Sequence, residues 1–168
     1  SPEQNLFENR NGYFWFKYHK EKNNELLNAY RLIGFLLGLA IKNKITIPIR
    51  FPRYFYKKIL KREVTFNDLA LFDPSYSKSV KSLLDSELTS GSLLDFTYID
   101  PIGQYEIDLK TFTDITNDVN FESEPLVDSN KFEYTQKLIE WIFGLSVSKE
   151  FEAFDEGMRC AEISEIFY

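Results

Sequence analysis

The sequence has few of the residues from which disulfide frameworks and metal sites are built. It contains one cysteine, Cys160, and one histidine, His19. A single cysteine excludes a disulfide framework and a cysteine-only zinc site, and a single histidine excludes the multi-histidine metal motifs. Glycine-rich phosphate loops and nucleophile elbows are also absent from the sequence. We therefore expect no metal and no cofactor, and a reducing location in the cytoplasm, the nucleus or both.

Long apolar runs are missing as well. No stretch reaches the roughly 18 consecutive apolar residues of a membrane span, so we expect no membrane partner. The 168 residues predict one domain, or one domain with a small appendage. The hydrophobic content of 43% and the aromatic content of 17% are typical of a folded chain with a sizeable core. The chain opens mid-stream at Ser1-Pro2 and ends abruptly at Phe167-Tyr168, so we expect a piece of a longer protein.

Charge is divided unevenly along the chain. Residues 1–84 contain 15 basic and 7 acidic residues, a balance of +8, whereas residues 85–168 contain 5 basic and 19 acidic residues, a balance of -14. This asymmetry indicates either two surfaces with different partners or two halves that attract each other. Solvated faces that happen to differ in charge would give the same pattern.

The first elements are predicted from turn chemistry and periodicity. Asn11-Gly12 lies between two aromatic-rich segments and predicts a β-hairpin with a type I′ turn. Residues 19–24 read as a polar loop in which His19 is exposed. Residues 25–42 are the strongest predicted helix, and their apolar side chains, nearly all round, favour a buried central helix. Gly34 and Gly38 inside it predict the close approach of another element, because the run is too short for a membrane dimer motif.

A second helix is expected to open at Pro52. Its predicted core stripe consists of Phe55, Ile59 and Leu60, and its predicted exposed stripe consists of Arg53, Lys57 and Lys61. The basic stripe is compatible with a phosphate or an acidic partner, but a stripe of this kind is more often a solvated face. Because the chain is acidic overall, we expect no nucleic-acid partner.

The remaining elements follow from capping and alternation. Thr65 to Asp68 has the form of a capping box, and Asp73-Pro74 predicts another helix start. We expect the following elements in order: a helix to about residue 85, a turn at 86–92 with Gly91, strands at 93–99 and 104–109, a loop at 110–127 with one more strand, a helix at 131–145, a helix capped by Ser148, and a last helix at 161–167.

Catalytic chemistry is thinly represented. A thiol enzyme would need Cys160 and His19 to lie side by side, which the sequence alone does not decide. We expect Cys160 to be a small buried residue on a helix, because free cysteine is among the most buried residue types. The residues therefore indicate a binding module or a part of an enzyme.

Five segments, in order, carry a resemblance to a known family. They are residues 30–41 (YRLIGFLLGLAI), 51–60 (FPRYFYKKIL), 64–76 with VTFNDL and DPSY, 130–134 (NKFEY) and 151–158 (FEAFDEGM). Together they resemble the N-terminal lobe of HECT-type ubiquitin ligase domains, from about Leu6 to Tyr168. Residues 110–127 depart from that pattern, because the Asn-Gly turn often found there is missing.

The resemblance implies an α+β, mainly helical fold with a large helical subdomain and a smaller inserted α/β subdomain. We place the large subdomain at residues 1–64 and 150–168, and the small one, which docks the conjugating enzyme in the family, at residues 65–149. HECT ligases accept ubiquitin from a charged ubiquitin-conjugating enzyme onto a cysteine of a C-terminal lobe, then pass it to a substrate lysine.

By position, the chain covers most of the N-terminal lobe and ends before the lobe that carries the nucleophile. Cys160 does not fall in the family's catalytic motif, so we expect no catalytic residue and no activity of this chain alone. The implied partner is a ubiquitin-conjugating enzyme, with ubiquitin as a further candidate. Protein substrates are expected to bind through regions outside this chain.

The family's docking groove is apolar and receives an aromatic residue of the conjugating enzyme. Carried over by position, it falls on Tyr76, Val80, Leu84, Leu94, Phe96 and Tyr134. Tyr76, Val80 and Leu84 share one face of a predicted helix, although core packing explains the same spacing. Ser77 stands where the family often has an aromatic residue and Val80 where it often has leucine, which indicates a shallower groove or another partner preference.

Two other hypotheses remain at this point. One is a non-catalytic helical interaction module, a pseudo-ligase that kept the fold and lost the activity. The other is a self-contained thiol enzyme that uses Cys160.

Overall fold

The computed structural model describes residues 5–88 and 94–163. The predicted turn at Gly91, the first residue of the predicted strand at Leu93 and residues 164–167 of the last predicted helix lie outside this range. The elements, in chain order, are β1 (Phe7–Arg10), β2 (Tyr13–Phe16), α1 (Asn24–Lys42), α2 (Arg53–Ile59), α3 (Phe66–Phe72), α4 (Pro74–Asp85), β3 (Thr97–Asp100), β4 (Tyr105–Asp108), β5 (Thr113–Asp114), α5 (Lys131–Phe143), a 3₁₀ turn (Leu145–Val147) and α6 (Ser148–Ile163).

The fold is mixed α+β, as predicted, and the chain divides into two compact units. Residues 1–62 and 146–168 form unit 1, and residues 63–145 form unit 2. The predicted subdomain boundaries, at 64/65 and 149/150, lie a few residues beyond these divisions. Charge follows the units: unit 1 has 15 basic and 10 acidic residues (+5), and unit 2 has 5 basic and 16 acidic residues (-11).

Unit 1 begins with the predicted hairpin. Strands β1 and β2 pair antiparallel, with Arg10 opposite Tyr13. Both turn residues have a positive φ, 52° at Asn11 and 87° at Gly12, as a type I′ turn requires. The Asn9 side chain accepts a hydrogen bond of 2.9 Å from the Gly12 N–H. The hairpin prediction is therefore confirmed.

Helices α1 and α6 form the main helix pair of unit 1. A Cβ on Gly34 would lie 2.0 Å from the Phe154 carbonyl oxygen, and one on Gly157 would lie 2.0 Å from the Arg31 carbonyl oxygen. The expected close approach at Gly34 is confirmed, and α6 is the approaching element. The expectation of a helix buried all round was wrong: α1 packs along one face, and Leu36 and Ile41 on other faces are 50% and 60% exposed.

Helix α2 contributes aromatic side chains to the core of unit 1. Tyr54 and Phe55 are buried, and the Phe55 ring stacks on Phe51 with 4.0 Å between ring centroids. The prediction that Leu60 faces the core was wrong, because the helix ends at Ile59 and Leu60 is 61% exposed. Lys61 lies beyond the helix with φ of 54°, so the predicted basic stripe does not continue along one helix face.

Three further expectations in unit 1 are corrected. Cys160 is exposed, and α6 runs without a break to Ile163 instead of ending before a separate helix at 161. His19 is largely buried, with Nδ1 3.9 Å from a carboxylate oxygen of Glu150. Glu150 is fully buried, and its carboxylate forms an ion pair with the Lys22 ammonium at 2.5 Å. The Lys22 ammonium also donates a hydrogen bond of 2.8 Å to the Ser146 carbonyl oxygen. A buried charged cluster therefore ties the loop before α1 to the start of α6.

Unit 2 is built from α3, α4, the β3-β4-β5 sheet and α5. The Thr65–Asp68 capping box starts α3, as predicted. The predicted start of α4 is also confirmed, because the Asp73 side chain accepts a hydrogen bond of 3.0 Å from the Tyr76 N–H. Strands β3 and β4 pair antiparallel, and β5 is the additional strand expected within 110–127. The buried Asp100 side chain accepts 3.1 Å from the Ile102 N–H and shapes the turn between β3 and β4.

Candidate functional site

An apolar groove of about 240 Å³ lies within unit 2. One wall is a face of α4, and another is the segment from Leu94 into β3. Tyr134 of α5 contributes to the floor between these two walls. The lining residues are Tyr76, Ser79, Val80, Leu83, Leu94, Asp95, Thr97, Ile99, Leu126 and Tyr134. Most of these side chains are apolar, and Leu94 and Ile99 are 49% and 62% exposed. The groove therefore offers accessible apolar surface above a buried floor.

Four of the six predicted docking residues line this groove: Tyr76, Val80, Leu94 and Tyr134. The other two do not. Phe96 is fully buried and supports the groove from beneath, with its ring 5.5 Å from the Tyr134 ring. Leu84 is half-buried outside the lining, where Leu83 stands instead. Whether these residues touch a conjugating enzyme stays a prediction.

Helix geometry explains the exchange of Leu84 for Leu83. At about 100° per residue, Leu83 lies about 20° from Tyr76 around α4, whereas Leu84 lies about 80° away. Ser79 and Val80 fall on the two sides of the same face. A count of i, i+3, i+4 and i+7 from Tyr76 identifies this face from sequence alone.

Two tyrosine hydroxyls form the polar part of the groove floor. Tyr76 Oη and Tyr134 Oη are 2.5 Å apart, and Tyr134 Oη also donates 3.4 Å to the Thr97 carbonyl oxygen. Burial raises the pKa of Tyr76, and the neighbouring Tyr134 raises it further. Burial also raises the pKa of Tyr134, although the hydrogen bond from Tyr76 acts in the opposite direction. Both hydroxyls thus stay protonated at physiological pH, and the floor is neutral.

One carboxylate lies at the edge of the groove. Asp95 accepts hydrogen bonds from the Thr97 hydroxyl at 2.6 Å and the Ser123 hydroxyl at 2.5 Å. Sequence reasoning missed Asp95, Thr97 and Ile99. Strand alternation could have found them, because Phe96, Tyr98 and Asp100 are buried on the opposite side.

Backbone bonds fix the Leu94 wall. The Leu126 N–H donates a hydrogen bond of 2.9 Å to the Leu94 carbonyl oxygen, and the Phe96 N–H donates one of 2.8 Å to the Glu124 carbonyl oxygen. The buried Asn130 side chain also holds segment 124–127. It accepts a hydrogen bond of 2.9 Å from the Val127 N–H and donates one of 3.1 Å to the Pro125 carbonyl oxygen. Asn130 therefore acts as a brace between this wall and α5.

The α4 wall is tied to α5 by Lys131. The ammonium of this largely buried side chain donates a hydrogen bond of 2.7 Å to the Ser86 carbonyl oxygen at the end of α4. It also forms an ion pair with the Asp128 carboxylate at 3.1 Å. The Asp128 carboxylate accepts 2.9 Å from the Leu88 N–H. This backbone bond and the Lys131 ammonium lower the pKa of Asp128. The groove walls are thus braced from both sides.

Within residues 5–88 and 94–163, no cluster of three or more histidine, cysteine or acidic side chains could hold a metal ion. No helix of the described segments is long and apolar enough to cross a membrane.

Similarity to known proteins identifies the family of the chain that contains this groove. The profile of the HECT-domain (ubiquitin-transferase) family matches residues 1–166 of the chain. The chain belongs to the HECT-domain family. This match confirms the resemblance seen in the five sequence segments.

Several HECT relatives are similar over most of this chain. The probable E3 ubiquitin-protein ligase mug30 of Schizosaccharomyces pombe is 34% identical over 166 residues, 94% of this chain and 19% of the relative. The E3 ubiquitin-protein ligase RSP5 of Chaetomium thermophilum is 31% identical, over 84% of this chain and 17% of the relative. The probable E3 ubiquitin-protein ligase HERC4 of Homo sapiens is 29% identical, over 86% of this chain and 13% of the relative. The chain therefore spans 13% to 19% of these relatives.

Residues of the HECT-like segments have defined structural tasks in this chain. Gly34 and Gly157 permit the close packing of α1 against α6. Asn130 and Lys131 brace the two walls of the groove. Tyr134, from the same segment, supplies the groove floor. The HECT-like segments thus include residues that pack the helices of unit 1 and residues that build and brace the groove of unit 2.

Proposed function

We propose that this chain is the docking portion of a HECT-type ubiquitin-protein ligase, and that the groove of unit 2 receives an aromatic side chain of a ubiquitin-conjugating enzyme. One observation carries the proposal. Four residues assigned to docking by resemblance, Tyr76, Val80, Leu94 and Tyr134, line a single apolar groove. An apolar pocket around a buried aromatic anchor is what a binding hot spot requires.

The size of the groove supports a protein partner. Small-molecule sites usually have volumes of about 300–1,000 Å³. The groove, at about 240 Å³, suits one or two inserted side chains. Its floor is neutral, because both tyrosine hydroxyls remain protonated, and a neutral aromatic ring fits such a floor without burying a charge.

The charge of unit 2 supports a basic partner surface. Its balance of -11 would attract such a surface from a distance and would mainly accelerate association. This attraction weakens as salt concentration rises, because mobile ions screen charges beyond about 10 Å at 0.1 M ionic strength.

The chemistry would follow after docking. A cysteine thiolate of the ligase attacks the thioester carbonyl between ubiquitin and the conjugating enzyme, and the cysteine of the conjugating enzyme leaves as a thiolate. A substrate lysine amine then attacks the new thioester, so that an isopeptide bond forms, the amine loses a proton and the ligase cysteine leaves as a thiolate. In this proposal the chain contributes proximity, which lowers the barrier by converting an encounter between two proteins into a positioned reaction.

The test is a calorimetric titration of this chain against a panel of ubiquitin-conjugating enzymes. Leu94→Asp and Ile99→Asp place a charge on exposed groove residues and should weaken binding at least about tenfold. Ile102→Asp, on the exposed turn after β3 and outside the groove lining, is the matched control and should leave binding unchanged. Tyr134→Ala should also weaken binding, with circular dichroism to verify that the variant is folded.

Two outcomes would contradict the proposal. Equal binding by the wild type and both groove variants would place docking elsewhere on the chain. A folded chain that binds no member of the panel would favour the non-catalytic interaction module.

A further inference from the structure

Among the described residues that line the groove of unit 2, Asp95 alone has a charged side chain. Each of its carboxylate oxygens accepts one hydrogen bond, Oδ1 from the Thr97 hydroxyl at 2.6 Å and Oδ2 from the Ser123 hydroxyl at 2.5 Å. An ionised carboxylate has about four acceptor positions, so capacity for a further donor remains. Both present donors are neutral, and they orient the carboxylate without compensating its charge.

The basic residues of unit 2 are engaged elsewhere or lie outside the groove. They are Lys78, Lys81, Lys110, Lys131 and Lys137. Lys110 pairs with two glutamates at 3.1 and 3.3 Å, Lys131 pairs with an aspartate at 3.1 Å, and Lys137 donates to a backbone carbonyl oxygen at 3.2 Å. Within residues 5–88 and 94–163, no lysine or arginine forms an ion pair with Asp95.

Helix geometry keeps the two remaining lysines away from the groove. Lys78 and Lys81 are exposed on α4. At about 100° per residue they lie about 160° and 140° around the helix from Tyr76, whose side chain lines the groove. The carboxylate of Asp95 therefore has no cation of its own unit within the groove lining.

The backbone holds Asp95 in place beside the groove floor. Asp95 and Pro125 form an isolated antiparallel bridge, and backbone hydrogen bonds of 2.9 and 2.8 Å flank it on both sides. Burial raises the pKa of Tyr134, and the negative charge of Asp95 acts in the same direction, so the field of the carboxylate reaches the floor. A group held in this way loses little conformational freedom when a partner binds.

We propose that Asp95 is a specificity-determining residue of the groove, and that it binds a lysine or arginine that accompanies the inserted aromatic side chain of the conjugating enzyme. The inference rests on the proposed docking function and adds the charge of the occupant. A partner that fills the groove covers Asp95 and removes water from its carboxylate. Burial of an unpaired charge is costly, so a partner with a cation at this point is favoured over one with a neutral or acidic residue.

This role differs from that of the overall charge of unit 2. The balance of -11 attracts any basic surface from a distance and acts mainly on the association rate. An ion pair that forms at one point, in contact and partly desolvated, acts mainly on the dissociation rate. Binding kinetics therefore separate the two effects.

The test measures association and dissociation rates by surface plasmon resonance, with the conjugating enzyme of the panel that binds this chain most tightly. Asp95→Asn keeps the shape of the side chain and removes its charge. We expect the affinity to fall about tenfold, mainly through faster dissociation. Asp118→Asn is the matched control, because Asp118 is exposed in unit 2 outside the groove lining and its loss changes the net charge equally. It should change the affinity less than about twofold.

A second variant separates charge from local structure. Ser123→Ala removes one hydrogen bond that orients the Asp95 carboxylate and keeps the negative charge. We expect its affinity to fall less than about threefold, because the carboxylate remains available to a cation.

Charge exchange identifies the partner of Asp95. In the conjugating enzyme, each lysine or arginine near the inserted aromatic residue is replaced by glutamate, one at a time. One of these enzyme variants should bind the wild-type chain at least about tenfold more weakly, and Asp95→Lys should recover most of that loss with this variant alone. Circular dichroism verifies that the Asp95→Lys chain is folded.

Three results would overturn the inference and leave docking in the groove intact. The first is wild-type affinity of Asp95→Asn while Leu94→Asp binds weakly. The second is an equal loss for Ser123→Ala and Asp95→Asn, which would give Asp95 a structural role only. The third is the absence of recovery in every charge exchange, which would mean that Asp95 receives a neutral donor. If the wild-type chain binds no conjugating enzyme, the proposed docking function fails and this inference fails with it, so the two failures are distinguishable.

Discussion

Gly34 and Phe154 touch so closely that a Cβ on Gly34 would lie 2.0 Å from the Phe154 carbonyl oxygen. The same relationship recurs one turn away, where a Cβ on Gly157 would meet the Arg31 carbonyl oxygen at 2.0 Å. Each helix of the pair thus offers a glycine to the backbone of the other. Backbone atoms cannot rotate aside as a side chain can, so the two glycines set the distance between α1 and α6.

The first prediction concerns Gly34→Ala. In an unconstrained helix this change would stabilise the protein by about 1 kcal/mol through helix propensity. Here the added methyl forces the helices apart, and we expect a loss of about 3 kcal/mol in the free energy of unfolding. Gly38→Ala should cost less, because its Cβ would come no closer than 2.8 Å to the Ala161 Cβ and 3.0 Å to the Met158 carbonyl oxygen. Urea denaturation measures both, and a Gly34→Ala protein as stable as wild type would contradict the packing.

Local signals in the sequence predicted much of this fold. Asn11-Gly12, the Thr65–Asp68 capping box and Asp73-Pro74 each act through a few neighbouring residues, so their geometry does not depend on the rest of the chain. Gly34 predicted a close approach for a similar reason, because a helix tolerates glycine at a cost that packing must offset. The identity of the approaching helix required the structure.

Other expectations failed because burial is a tertiary property. Apolar residues around α1 indicated a buried helix, but the sequence alone does not determine which faces are covered, and Leu36 and Ile41 are exposed. Cys160 is exposed although its residue type favours burial, and the structure offers no reason for this. At the groove, the family pattern selected Phe96, but strand alternation turns Phe96 inward and places Thr97 and Ile99 in the lining.

The second prediction concerns the Tyr76–Tyr134 pair. Tyr134→Phe removes the hydroxyl that lies between Tyr76 and the Thr97 carbonyl, and we expect a loss of about 1–2 kcal/mol in unfolding free energy. Tyr76→Phe should cost less, because Tyr134 keeps the Thr97 acceptor. The double variant should reveal a coupling energy of about 1 kcal/mol. Tyr56→Phe, on the exposed side of α2, is the control, and additive single effects would argue against the pair.

The third prediction concerns the buried pair of Lys22 and Glu150. Lys22→Met removes the ammonium 2.5 Å from a fully buried carboxylate, and we expect the free energy of unfolding to fall by about 3 kcal/mol or more. Glu150→Leu in the Lys22→Met background should restore much of that loss, because no unpaired charge remains buried. Lys149→Met, exposed on the same helix, should change little. If the double variant is less stable than Lys22→Met, the carboxylate has a structural role beyond this pair.

The fourth prediction concerns the effect of pH through His19. Burial, with the charges of Lys17 and Lys22, lowers the pKa of His19 below its ordinary value of 6.5. Glu150 lies 3.9 Å from Nδ1 and would act in the opposite direction, but its charge is compensated by Lys22. The folded state therefore favours neutral His19. Below pH 6.5 the unfolded chain takes up a proton that the folded chain does not, so stability falls as the solution is acidified.

His19→Gln removes this proton uptake and isolates it from the carboxylates, which titrate in both proteins. We expect the stability difference between wild type and variant to be constant above pH 6.5 and to shift in favour of the variant below it, until the lowered pKa of folded His19 is passed. Urea denaturation followed by Trp15 fluorescence in a Trp141→Phe background reports on unit 1 alone. Because His19 is the single histidine, its imidazole NMR signal gives the pKa directly. A difference that moves toward wild type on acidification would mean that Glu150, and not burial, controls the proton.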